Sequence, residues 1–69
     1  MADSIYKVIE LIGTSKDSWE KAALVAVERA NKSLRDLRVA EVVEQDLVIE
    51  NGKIEAFRTK LRVSFKFED

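Results

Sequence analysis

An Asn-Gly pair, Asn51-Gly52, sits between two runs of alternating apolar and polar residues, and it constrains this chain more than any other feature. Both central residues of a type I′ turn need positive φ, which Asn and Gly tolerate best, so the pair predicts a tight β-hairpin spanning Arg38 to Phe67. A two-residue turn sets Glu50 opposite Lys53. It then pairs Val42 with Leu61, Ala40 with Val63, Glu41 with Arg62 and Gln45 with Arg58. In this register one face carries Ala40, Val42, Val48, Phe57, Leu61, Val63 and Phe65, the apolar side suited to lie under a helix. The other carries Val39, Glu41, Val43, Gln45 and Leu47 against Ala56, Arg58, Lys60, Arg62 and Ser64, half apolar and half charged. That mixed face is the expected functional surface, and a bulge would move its pairs.

Upstream, the apolar-rich run Ser4 to Ile12 reads as a first strand ending at Gly13, with Gly-Thr-Ser as the bend into a helix. The triplet lacks the glycine spacing and the lysine of a phosphate loop. From Asp17 to about Asp36 the period becomes helical: Trp19, Ala22, Ala23, Ala26, Val27, Ala30, Leu34 and Leu37 fall in one stripe, and Ser15 or Asp17 is the expected cap, with Glu20 completing a capping box. Leu24 and Val25 lie off the stripe, where an isolated subunit exposes them. Trp19, on the stripe, reads as a packing anchor. The expected fold is α+β, a three-stranded antiparallel sheet in the order β-α-β-β with one amphipathic helix laid on it.

A chain of 69 residues makes one domain, 1–69, whose core scarcely offsets the entropy of folding. It has no cysteine and no histidine, which removes disulfide staples, thiolate zinc sites and histidine catalysis. Self-association is the remaining support. A helix of about 20 residues spans ~30 Å, whereas a strand of about 15 spans ~50 Å, so the hairpin overhangs its cover and calls for further subunits. Twelve Lys and Arg against 13 acidic residues leave a net charge of -1, which argues against a nucleic-acid footprint. No apolar run reaches membrane-spanning length and no basic leader precedes an apolar segment, in keeping with a soluble, cytoplasmic protein that does not bind membranes.

Glu41, Glu44 and Asp46 cluster around Gln45. Glu44 and Asp46 are hard oxygen donors suited to calcium or magnesium, while the plainer reading is cross-strand pairing with Arg62 and Lys60. No nucleophile-base pair is present, so the chain reads as non-enzymatic, with no catalytic residue. Arg58, Lys60 and Arg62, opposite Gln45 and Glu41, suit either an anionic or polar planar ligand or salt bridges between subunits.

The segments YKVIELIGTS, SWEKAALVAVERA, RVAEVVEQD and FRTKLRVSFKFE, in this order and spacing over nearly the whole length, resemble the dodecins. The resemblance implies a hollow, spherical homododecamer that stores or sequesters a small ligand. In the flavin-binding branch a tryptophan just before the Ala-Glu-Val of strand two stacks on riboflavin or FMN, and a strand-three glutamine binds the ring's polar edge. Here those positions are Val39 and Arg58. The resemblance therefore implies weak or absent flavin binding at Val39, Glu41, Gln45 and Arg58, or membership of the flavin-free branch that includes calcium dodecins.

Overall fold

The computed structural model describes residues 3–66. Along them run β1 (Tyr6–Ser15), α1 (Trp19–Ser33), β2 (Leu37–Glu50) and β3 (Lys53–Lys66), in the expected order. β3 is the centre strand of a three-stranded sheet ordered β1-β3-β2, and both pairings are antiparallel. Phe67, the expected end of the hairpin, lies outside the described residues.

The hairpin turns at Asn51 and Gly52 with φ of 52° and 74°, the paired positive values that a type I′ turn requires, and Glu50 faces Lys53. Away from the turn the register is not uniform. Ile49 faces Ile54 but Val48 faces Ala56, so Glu55 is an extra residue on β3; Val42 faces Leu61 but Glu44 faces Lys60, so Val43 is an extra residue on β2. The two bulges cancel. The expected pairs Ala40-Val63, Glu41-Arg62 and Val42-Leu61 hold, while between the bulges every pair is displaced. Because side chains alternate, that displacement inverts the faces of the segment. Gln45 faces Thr59 rather than Arg58, Leu47 faces Phe57 and joins the helix side, and Val48 faces Ala56 and leaves it.

Three further expectations change around the helix. Gly13-Thr14-Ser15 is not a bend but the end of β1, with Gly13 opposite the fully buried Thr59. A Cβ at Gly13 would penetrate the Ala22 carbonyl oxygen and lie 3.0 Å from the Ala26 Cβ, so the glycine is needed for the close approach of helix and strand. The cap is Ser18, whose Oγ accepts from the Lys21 N–H at 3.0 Å, while Ser15 Oγ accepts from the Asp17 N–H at 2.9 Å. At the other end the helix stops at Ser33, short of Asp36. Leu34 leaves in extended conformation and Asp36 takes a φ of 55°, turning the chain into β2.

The core is small. Ala26 packs with Leu61 and Val63, with Ile9, Leu11, Ala23, Val27 and Leu37 partly buried around them, and Ala22 and Ala30 are buried on the same side of the helix. Alanine brings helix and sheet together but contributes little apolar area. Fifteen helical residues cover about 22 Å, against about 46 Å for a strand of 14, and the molecule measures 54 × 20 × 15 Å. The uncovered end exposes Ile49 and Ile54, 65% and 57% accessible and opposite each other, and Leu24 and Val25 are exposed on the helix as expected. Among the described residues no helix is long and apolar enough to cross a membrane.

Candidate functional site

The helix-free face of the sheet carries a ladder of charges. Reading along β3, Arg58, Lys60 and Arg62 alternate; the shifted register of β2 sets Asp46 and Glu44 against the first two, and the undisplaced pair Glu41-Arg62 completes the row. Arg58 donates from Nε and Nη2 to the two carboxylate oxygens of Asp46, both at 2.8 Å, a bidentate pair. Lys60 Nζ lies 3.9 Å from Glu44, and Arg62 is shared between Glu10 of β1 at 3.0 Å and Glu41 at 3.8 Å. Hydrogen bonding from Arg58 holds the Asp46 carboxyl below its usual 3.8, and the same bonds raise the already high value of Arg58.

Of the expected ligand contacts, Val39, Glu41 and Arg58 share this face and Gln45 does not. Val39 is 60% exposed, opposite Ser64, whose Oγ donates to the Val39 carbonyl at 3.4 Å. Glu41 keeps its partner Arg62. Gln45 is turned to the helix side beside Thr59 by the bulges, and Asp46 takes the place opposite Arg58 that sequence periodicity assigned to Gln45. The same inversion brings Glu44 and Asp46 to the face of Glu41, so all three carboxylates line one face. Among the described residues no group of three or more carboxylates is gathered closely enough to hold a metal ion. A cation at Glu44 or Asp46 would therefore need donors beyond the carboxylates of one subunit.

Sequence reasoning missed the link between this face and the helix. The indole N–H of Trp19 donates to the Asp46 carbonyl at 3.0 Å, the Trp19 carbonyl accepts from Thr59 Oγ1 at 2.8 Å, and its ring meets Phe57 edge-on with centroids 5.1 Å apart. A lone tryptophan on a helix stripe signals an anchor. Nothing in its position says which strand residue it will hold.

Chemically the face offers a valine where a planar ring would want an aromatic surface, and a guanidinium whose charge is already answered. A β-α-β-β chain of this size with this paired hairpin is matched by the family model described as Dodecin over residues 5–68. The chain belongs to the dodecin family. Among dodecins it is 58% identical to calcium dodecin of Mycobacterium tuberculosis over 64 residues, 91% of this chain and 89% of that one. With the dodecin of Thermus thermophilus it shares 37% identity over 65 residues, 94% of each chain. The dodecin structure from Streptomyces coelicolor superimposes with a TM-score of 0.92 at 35% identity, covering 100% of this chain and 99% of that one. The M. tuberculosis structure, described as a calcium-chelating calcium dodecin with a novel calcium-binding site, gives a TM-score of 0.84 at 56% identity, covering 94% and 93%. The β-α-β-β dodecin fold expected from the sequence is thus the fold of the chain.

Proposed function

We propose that this chain is the subunit of a non-enzymatic, homododecameric dodecin shell that sequesters a small ligand, and that flavin is bound weakly or not at all. The observation that carries this reading is the Asp46-Arg58 pair, on the same face of the sheet as the exposed Val39. Valine offers no stacking surface, which forgoes about 0.5–1.5 kcal/mol beyond area burial. Arg58, in place of an amide, has no acceptor for a ring N–H and spends its Nε–Nη2 edge on Asp46. Self-association is supported by two apolar grooves flanking the helix. One, of about 500 Å³, is lined by Leu11, Val25, Ala26, Ala30 and Leu34; the other is lined by Ala23, Leu24, Val27, Ala40 and Val42. Titration of riboflavin and FMN with the assembled protein, read by fluorescence and equilibrium dialysis, tests the reading: saturable binding at micromolar concentration or tighter would overturn it.

A second reading has its own support. The bulges bring Glu44 and Asp46 to the face of Glu41, and the relative sharing 58% identity is a calcium dodecin. On this reading Ca²⁺ is taken by Glu44, whose carboxylate is only loosely paired, together with Asp46 and donors from neighbouring subunits. Calcium binding to the assembled protein that is lost in Glu44→Gln would support it. Calorimetry showing no heat of binding would remove it.

A further inference from the structure

Asn51 and Gly52 turn the hairpin beyond the cover of the helix, and the ladder behind them is short. Two pairs, Glu50-Lys53 and Ile49-Ile54, stand between the turn and the bulge at Glu55, where the register breaks. Ile49 and Ile54 face each other at 65% and 57% exposure, so closing the tip buries little apolar surface. Glu55 adds an exposed ion pair with Lys16 at 3.6 Å, a contact of small worth. A segment with so few buried contacts opens locally at far lower cost than the whole fold.

The pair at this tip is chemically labile. A side-chain amide is attacked most readily by the following backbone nitrogen when that nitrogen belongs to glycine, which has no Cβ to hinder the approach. Nothing lies within 4 Å of the position a Cβ would take at Gly52. The closed turn, with φ of 52° and 74°, holds the two residues in hairpin geometry, and opening the tip frees Asn51 to rotate into the geometry of attack. We propose that Asn51 is a site of spontaneous covalent modification, deamidated through a cyclic imide with Gly52 at a rate set by local opening of the hairpin tip. The Gly52 nitrogen gives up its proton to hydroxide and bonds to Cγ of Asn51; the Cγ–Nδ2 bond breaks, and ammonia leaves with a proton from water. Water then opens the imide at one carbonyl or the other, leaving an aspartyl or an isoaspartyl residue at position 51.

The two products differ in consequence. Asp-Gly still supports a type I′ turn. The isoaspartyl form carries the main chain through an extra methylene, which the two-residue turn setting Glu50 opposite Lys53 cannot absorb. The reaction does not depend on which ligand the shell holds. Asn31, the other asparagine, is followed by Lys32 inside α1 and serves as an internal control.

Incubation of the assembled protein at mildly alkaline pH, followed by peptide mapping with mass spectrometry and by hydroxylamine cleavage of the imide, tests the proposal. Conversion should be at least tenfold faster at Asn51 than at Asn31, should rise with pH as the attacking nitrogen loses its proton, and should yield both isomers. Ile54→Thr, which weakens the pair closing the tip, should speed it at least threefold. In the unsubstituted protein, low urea should change the rate much less steeply than it changes global unfolding, because little surface is exposed when the tip opens. That measurement keeps the test intact if the variant fails to assemble. Folded protein that stays unmodified at Asn51 while the urea-unfolded chain converts would overturn the proposal, since the tip would then be held shut. Equal conversion at Asn31, or a urea dependence matching that of global unfolding, would overturn it as well.

Discussion

The side chain of Trp19 donates its indole N–H to the main-chain carbonyl of Asp46 across 3.0 Å, and Asp46 in turn holds Arg58 on the opposite side of the sheet. One residue thereby belongs to the core by its backbone and to the candidate ligand face by its carboxylate. The start of the helix and the displaced segment of β2 are tied together at the place where the register decides which carboxylate meets which cation.

Replacing Trp19 with Phe keeps most of the ring beside Phe57 and deletes the hydrogen bond to Asp46. A net loss of about 1 kcal/mol is expected for one such bond, read as a lower urea midpoint with unchanged slope. An unchanged midpoint would mean that the bond contributes nothing net.

Gly13→Ala and Gly52→Ala should fail for different reasons. At Gly13 the added methyl meets helix backbone, which cannot move aside as a flexible side chain can, so the helix must lift from β1. The cost should reach or exceed the about 1–3 kcal/mol of an overpacked core, and the oligomer should be lost with it.

At Gly52 there is open space around the added methyl but a φ of +74°. The cost there is backbone strain of about 1–2 kcal/mol, with assembly intact. Denaturation followed by size-exclusion chromatography separates the two cases.

Acid should weaken the fold through Asp46. Its carboxyl titrates below 3.8 when folded, so its stabilising contribution is present above the unfolded value and disappears as pH falls through the folded one. Urea midpoints measured from pH 6 downward should show a loss beginning below about pH 4 that Asp46→Asn reduces. A profile identical in the variant would assign the acid limb to other carboxylates.

Flavin binding should be recoverable. Val39→Trp with Arg58→Gln supplies the stacking surface and the amide that the face lacks, and should tighten flavin binding at least tenfold, about 1.4 kcal/mol. No gain on correctly assembled protein would reject Val39 and Arg58 as the cause of weak binding.

Much of this was legible in the residues themselves. Asn51-Gly52 gave the hairpin, the alanine stripe gave the helix and its buried side, and the pairs flanking the displaced segment followed from alternation alone. The expectation failed where a bulge intervened. Glu55 and Val43 carry no mark of their role, since neither is a glycine or proline, and a strand with an extra residue reads in sequence like one without. Gly13 misled for a related reason: beside Thr14 and Ser15 it has the composition of a turn, whereas its actual use is to let Ala22 and Ala26 approach β1.

By itself, then, the sequence determined the order of elements, the turn, the amphipathic helix and the family, because each is written in local propensity or in a period that short stretches display. Only the tertiary structure decided that Asp46 rather than Gln45 answers Arg58. That choice depends on two compensating bulges and on a tryptophan 27 positions away in sequence from the carbonyl it holds. In a strand whose side chains alternate, a displacement of a single residue exchanges the faces, and that displacement is set by packing between elements.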